Sequence, residues 1–429
     1  MLLYRALFSL ALAAYAPLAC LRAAAGGRRL GDIRGRLGRR PYPDLSGGIW
    51  IHAVSVGELG VARNLLRALR RRLPGCRAGI SVTTAAGHEL AESTLSSEAS
   101  IFAFPFDLAG PVERALTQVR PALVLVSETE LWPLFLERAG RHGIPVALVN
   151  GRISRRSFGR YRLIRGWLTK ALSPIALFAM QSAEDARRIE ALGVPPGRIR
   201  DLGNIKYDLP PAAPFADAER LGRGAAGRPV LVAGSTGEGE ESLVLDAWGR
   251  LPNRPLLVLA PRRPERFDEV AHLVENRGLR LLRRSVPASR LPPPASPPFD
   301  VYLLDSIGEL ASVYRGAVLA FIGGSLVSTG GQNPIEAWAA GVPVVTGPHM
   351  ENFRDVAAQG EALGILRRAA DPDALAGEIA GALDQPAETQ RRGQEAARFV
   401  AASRGAAEAT AEAVLALVPA LSGARRSAP

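Results

Sequence analysis

Short apolar runs alternate with amphipathic stretches along most of this chain. In the first half the runs are 49–54 (IWIHAV), 79–84 (GISVTT), 122–128 (ALVLVSE), 145–150 (PVALVN) and 174–180 (PIALFAM). They are near-continuous rather than alternating, which is the pattern of strands buried on both faces. Between them, 58–73 and 131–142 carry apolar residues at helical spacing. The pattern restarts with 229–235 (PVLVAGS), 255–261 (PLLVLAP), 300–305 (DVYLLD), 317–324 (AVLAFIGG) and 343–347 (PVVTG). Strands and helices in alternation predict parallel sheets clad by helices, and two such series predict two doubly wound α/β domains. A Pro-rich break at 209–214 (LPPAAP) separates the series, and another at 286–298 reads as an exposed loop. The stretches 373–383 and 396–417 read as amphipathic terminal helices. The expected organisation is a hydrophobic segment over 1–25, a domain over 26–210 and a second domain over 215–429. Tandem doubly wound domains predict a ligand crevice between them, outside the carboxyl ends of the strands.

The N-terminus adds an anchor to this picture. Residues 6–21 are uncharged and flanked by Arg5 and Arg22. As a helix the run reaches roughly 24 Å, short of the ~30 Å hydrocarbon core of a bilayer. The small residues at 23–25 resemble a signal cleavage site, but the basic segment that follows favours retention on the cytoplasmic side. The run therefore reads as an uncleaved membrane anchor, short-spanning or interfacial, with its basic flank on the cytoplasmic side.

Charge sharpens the reading once it is located. The formal net charge is +12, yet residues 21–40 carry +6 and residues 151–170 carry +7. All other residues together are therefore close to neutral, and the basicity is two patches rather than a global property. Such patches suit an anionic surface or substrate. No RNP-type aromatic platform or zinc knuckle accompanies them, so nucleic acid is not the expected partner. Two cysteines, Cys20 and Cys76, make neither a disulfide framework nor a four-thiolate zinc site. The five histidines lack the i, i+4 spacing of a helical metal pair.

The densest chemistry lies in 323–354 (GGSLVSTGGQNPIEAWAAGVPVVTGPHMENFR). Its glycine pairs allow close backbone approach. Asn333 is a favoured N-cap and Pro334 a favoured first helical residue. The N–H groups of that turn, Ile335 among them, can receive an anion, and Glu336 can accept hydrogen bonds from a ribose. Other candidates also end apolar runs. Glu58 follows the turn of Ser55-Val56-Gly57, where position alone leaves two roles open: complement to the helix dipole, or general base toward an attacking hydroxyl. Glu128 and Glu130 flank Thr129, one of them expected as an N-cap. Lys206 sits in a shaped turn (GNIKYD), facing either solvent or a ligand. In the second series, 234–237 (GSTG) resembles a phosphate-cradling turn, and Arg262 and Arg263 stand between Pro261 and Pro264. Arginine there can clamp a phosphate. Ile307, Gly308 and Glu309 open a further helix.

These strings together resemble the bacterial 3-deoxy-D-manno-octulosonic acid (Kdo) transferases of lipopolysaccharide synthesis. The matching segments are HAVSVGE, SETELWP, NGRIS, GNIKYD, GSTGEGEE, PRRPERF, GEL and the long run from Gly323, in the family's order over about 49–354. The resemblance implies a GT-B glycosyltransferase fold, with two Rossmann-like domains facing a cleft. It implies an inverting, metal-independent transfer of Kdo from CMP-Kdo to the 6′-hydroxyl of a phosphorylated lipid A precursor, with no cofactor. By the same resemblance Glu58 is the proton acceptor, and Glu128 and Lys206 assist at the transition state. The cytidine nucleotide falls to Pro261, Arg262, Ile307, Gly308, Glu309, Asn333, Pro334, Ile335 and Glu336. Arg263 and Gly237 stand where relatives frequently carry histidine. Another GT-B transferase, using a UDP-sugar and a lipid-linked acceptor, is the alternative within the fold.

Overall fold

The computed structural model describes residues 33–54, 56–286 and 299–423. The expected N-terminal anchor, and most of the Pro-rich stretch 286–298, lie outside the described residues. The chain divides into two compact units, one ending at Asp208 and regained from Ser403, the other spanning Leu209–Ala402. The division falls where the first Pro-rich break begins.

The first unit is built on a parallel seven-stranded sheet. Its strands are β1 (Ile49–Ala53), β2 (Ala78–Val82), β3 (Ser100–Ala103), β4 (Leu123–Ser127), β5 (Val146–Gly151), β6 (Ile175–Met180) and β7 (Ile199–Asp201), in the order β3-β2-β1-β4-β5-β6-β7. β1, β2, β4 and β5 are buried throughout, which explains their unbroken apolar sequence. Ile49, Ile51 and Ala53 face one side, where they join Val61, Leu65 and Leu69 of the helix Val56–Arg72. Trp50 faces the other, among Phe102, Phe104 and Phe135. Each of the valine, leucine, isoleucine and phenylalanine side chains among these contributes ~1.5–3 kcal/mol by leaving water.

The second unit repeats the plan. Its strands are β8 (Val230–Thr236), β9 (Leu256–Pro261), β10 (Leu281–Arg283), β11 (Val301–Leu303), β12 (Leu319–Ile322), β13 (Val344–Thr346) and β14 (Leu366–Arg368), ordered β10-β11-β9-β8-β12-β13-β14 and paired in parallel. The core gathers β8, β9, β11 and β12 side chains with Trp248, Val270 and Ile379 from the flanking helices.

The structure corrects the sequence reading in two respects. The strands β3, β7, β10 and β14 do not stand out in the apolar pattern: they are three or four residues long and lie toward the sheet margins, where IRD, LLR and LRR keep polar side chains. The expected helix over 396–417 is two helices, Pro386–Ala402 and Ala406–Leu415, parted at Gly405 with φ 101°. The latter belongs to the first unit rather than to a second domain over 215–429. It buries Ala407, Ala411 and Val414 against the helix Val56–Arg72 side of the core. Asp208 caps it, its carboxylate accepting the N–H groups of Gly405 (2.6 Å) and Ala407 (2.5 Å).

Candidate functional site

Because every strand in each sheet runs the same way, all the loops that follow strands emerge at one edge. In the first sheet the chain reverses its winding between β1 and β4, and in the second between β8 and β12. Loops diverge at such switch points and leave a crevice there. Glu58 follows β1 and Glu128 follows β4, so both sit at the first switch point.

Glu58 lies in the first turn of the helix Val56–Arg72 and is 7% exposed. Its Oε2 accepts the Val54 N–H at 2.9 Å, which folds the carboxylate back over the strand end. Glu128 takes φ 56°, a left-handed conformation that is uncommon outside glycine. Its N–H donates to the Val149 carbonyl of β5 (2.8 Å), and its Oε1 lies 2.6 Å from Lys206 Nζ. Lys206 rides on the single turn Ile205–Tyr207. That turn is held by three asparagines. Asn150 Oδ1 accepts the Ile205 N–H (2.9 Å), Asn204 Oδ1 accepts the Lys206 N–H (3.0 Å), and Asn64 Nδ2 donates to the Ile205 carbonyl (3.3 Å). Asn150, 1% exposed, also has a left-handed φ of 53°. Two adjacent strand ends, β4 and β5, thus share one unusual backbone geometry to aim a charged pair.

Neighbouring groups complete this edge. Burial first, and the Glu128 charge second, push the Glu130 carboxyl above the usual range. Thr129 donates its hydroxyl to the Arg152 carbonyl, tying the acidic loop to the start of the basic segment. His52 is fully buried and stacks on Phe104 at 3.7 Å. Its Nδ1 stands 3.1 Å from the Ser81 carbonyl, which can only accept, and 3.0 Å from the Ser81 hydroxyl, and a proton on Nδ1 satisfies the carbonyl. Burial lowers this imidazole to about 3, and it is neutral.

In the second unit, Pro261 closes β9 and Arg262 is exposed just beyond it, its backbone N–H bonded to the Thr236 carbonyl at the end of β8 (3.0 Å). Ile307 is 69% exposed and Gly308 has φ 89°. Glu309 is engaged by Arg284 (Nε to Oε2, 3.0 Å) and by the Ser306 hydroxyl. Asn333 Oδ1 accepts the Ile335 N–H (3.0 Å), and Pro334 has helical dihedrals. The helix itself runs Ile335–Ala339, with Glu336 half-buried in its first turn. Glu336 is close enough to Tyr314 for its charge to add to the burial that raises that phenol.

Two features here were not legible as site residues. Glu240 is wholly buried, and its carboxylate accepts the backbone N–H groups of Gly237 (2.9 Å), Gly324 (2.6 Å), Ser325 (2.9 Å) and Leu326 (2.8 Å). The phosphate-cradling reading of 234–237 is corrected accordingly: the Gly237 N–H faces an internal acid. Glu241, equally buried, binds the Arg266 guanidinium through both oxygens (2.8 and 3.0 Å). Of the basic residues in PRRPER, Arg266 is therefore an internal strut, while Arg262 and Arg263 remain exposed. Several glycines of 323–354 also serve packing. A Cβ on Gly331 would meet Met350 Sδ at 2.2 Å, and one on Gly347 would meet the Ser325 carbonyl at 2.1 Å.

The sequence matches two family models: 3-deoxy-D-manno-octulosonic-acid transferase over residues 28–209 and glycosyl transferases group 1 over residues 300–399. It is 35% identical to the 3-deoxy-D-manno-octulosonic acid transferase of Bordetella pertussis, over 96% of this chain and 98% of that one. The Haemophilus influenzae transferase of the same name is 34% identical over 88% of this chain and 89% of that one. Among solved structures, the glycotransferase of kitacinnamycin superposes with a TM-score of 0.53 at 19% identity, covering 86% of this chain and 98% of that one. Anabaena HepE in complex with UDP-glucose gives 0.51 at 14% identity, covering 86% and 100%. The two parallel sheets are those of the GT-B glycosyltransferase fold.

Proposed function

The chain belongs to the family of Kdo transferases, and from that premise we propose that it moves Kdo from CMP-Kdo to the 6′-hydroxyl of a lipid A precursor, with inversion at the anomeric carbon. The observation that carries this reading is the placement of Glu58, Glu128 and Lys206 on the carboxyl edge of one sheet, with the last two in direct contact.

In this mechanism Glu58 takes the proton of the acceptor hydroxyl as its oxygen attacks the anomeric carbon. The bond from that carbon to the phosphate oxygen breaks, and CMP leaves with both electrons. Lys206, oriented by Glu128, supplies fixed positive charge where negative charge develops. On the second unit, Arg262 neutralises the phosphate, while Pro261, Ile307, Gly308 and Glu309 border the nucleotide. Asn333, Pro334 and Ile335 shape the turn beside the phosphate, and Glu336 accepts from the ribose hydroxyls. A monophosphate leaving group carries less charge than a diphosphate, so arginine and backbone N–H groups suffice for it. The acceptor is a phosphorylated glycolipid at the cytoplasmic face of the inner membrane, with no nucleic acid involved. The anchor proposed for 1–25 keeps the enzyme at that surface.

Incubation with CMP-Kdo and a tetraacylated lipid A precursor, read by mass spectrometry, is expected to show one or more Kdo additions. Protection of the protein against thermal unfolding should be given by CMP and not by UDP. UDP protection without CMP protection, or no Kdo-bearing product, overturns the reading.

A further inference from the structure

Lys206 stands just before Leu209, where the chain leaves the first unit for a Pro-rich link. Besides the three asparagines, its turn has a support that comes from the far end of the chain. Asp208, which ends the turn Ile205–Tyr207, is half-buried, and its own N–H returns to the Ile205 carbonyl at 3.1 Å. Its carboxylate oxygens divide between two backbone donors. Oδ1 accepts from Gly405 (2.6 Å) and Oδ2 accepts from Ala407 (2.5 Å). These donors open the helix Ala406–Leu415, whose N-cap residue is a glycine with no side chain to cap it. Asp208 supplies both the acceptor that a local N-cap would give and the negative charge that suits a helix start.

The captured helix also reaches the helix that carries Glu58. Ala406, Ala407, Ala411 and Val414 share one core with the wholly buried Ile205 and with Leu59 and Leu65. Asn64 of the helix Val56–Arg72 donates to the Ile205 carbonyl, and Arg72 at its end pairs with Glu408 (3.3 Å) and Glu412 (3.2 Å). The Glu58 helix, the Lys206 turn and the helix Ala406–Leu415 thus each touch the other two. The surface pairs of Arg72 hold little, whereas the half-buried carboxylate of Asp208 makes two bonds, each roughly twice as strong as one to a neutral acceptor.

We propose that Asp208 is a positioning residue for the transfer: by clasping the helix Ala406–Leu415 it fixes the turn that aims Lys206 at the reactive edge. It acts through Lys206 alone. A displacement of ~1 Å at a reacting group can cost ~10²-fold in rate, so a loosened turn is felt in kcat. The inference rests on the role given to Lys206 under the transferase reading, but the placement of Lys206 is measurable without turnover.

Lys170 and Lys206 are the only lysines of the sequence, which provides an internal reference. The full chain is treated with trace acetic anhydride, and the ratio of Lys206 to Lys170 acetylation is read by peptide mass spectrometry. In the parent, Lys206 is 17% exposed and held by Glu128, while Lys170 is exposed, so Lys206 should label the more slowly. Asp208→Asn keeps one oxygen for one of the two N–H groups. Its labelling ratio should rise about threefold or more as the turn opens. Its kcat should fall about tenfold, with CMP affinity and KM for CMP-Kdo at the parent's level. Introduced into Lys206→Met, the same substitution should lower kcat by about twofold or less, because the group it positions is gone. A labelling ratio equal to the parent's overturns the proposal. So does a tenfold loss of kcat that persists in the Lys206→Met background, the mark of a general loss of structure. Absence of turnover in the parent bears on the transferase reading instead, because the labelling ratio decides the placement of Lys206 by itself.

Discussion

Lys206 Nζ lies 2.6 Å from Glu128 Oε1, joining residues 78 positions apart at the carboxyl edge of the first sheet. The side chains are 17% and 16% exposed, so the pair is neither freely solvated nor fully stripped of water. Removing one partner leaves the other's charge less compensated in a poorly hydrated place. Lys206→Met and Glu128→Gln should each lower the melting temperature, and the double variant should recover part of it. A coupling of ~1–3 kcal/mol is expected between them. Turnover should behave differently, staying ~10²–10³-fold down in all three variants if the ammonium acts on the transition state. Recovery of turnover in the double variant would reduce the pair to a scaffold.

Glu58→Gln isolates the proton-transfer step. The amide keeps an oxygen to accept the Val54 N–H, so the turn is preserved. It cannot take a proton, and kcat should fall ~10²–10⁴-fold. CMP affinity, a property of the other unit in this mechanism, should match the parent's. Steady-state kinetics alongside a CMP titration checks both halves of the expectation. A variant that keeps its kcat removes Glu58 from the base role.

The two sheets were readable because their central strands are buried on both faces and therefore written as continuous apolar runs. The marginal strands were not, since LRR at 366–368 earns its place by backbone pairing with β13 rather than by side-chain burial. The capture of Ala406–Leu415 by the first unit was hidden for a related reason. It depends on Asp208 meeting Gly405 across 197 positions, which no local pattern encodes. At the site, Glu58, Glu128 and Lys206 stood out through the segments HAVSVGE, SETELWP and GNIKYD that resemble the Kdo transferases, since position alone left their roles open. Glu240 and Glu241 did not, because a carboxylate in a first helical turn reads as a dipole complement. Only coordinates show Glu240 gathering four backbone N–H groups.

That arrangement makes Glu240 a positioning residue for the second unit. Glu240→Ala leaves four amides without their acceptor, at ~1–3 kcal/mol for each that stays buried and unpaired. The unit should then melt well below the parent. Glu240→Gln retains one oxygen but turns an NH₂ toward N–H donors, which loosens the loop after β12 without emptying the space. CMP should bind it about tenfold more weakly, equivalent to ~1.4 kcal/mol. This is the reverse of the Glu58→Gln pattern, and calorimetric titration of both variants with CMP separates them. Parent-like CMP affinity in Glu240→Gln would show that the loop holds its shape by other means.

His52 supplies a pH dependence with a definite sign. Its imidazole is neutral and buried, lowered to about 3, while in the unfolded chain it titrates near the ordinary histidine value. Above that ordinary value neither state holds the proton, and the contribution to stability is complete. As pH falls from there toward about 3, the unfolded chain takes up a proton that the folded one refuses, and stability is lost. His52→Phe keeps a ring to stack on Phe104 and removes the titration. At neutral pH it should be the less stable protein by about 1 kcal/mol, because the Ser81 carbonyl loses a donor. On acidification below about pH 6 the gap between the two should close and then reverse, while carboxylate effects common to both cancel in the difference. Denaturant unfolding of parent and variant at a series of pH values reads this directly. Parallel curves would mean that His52 is protonated in the folded state, or that its ring has left the stack.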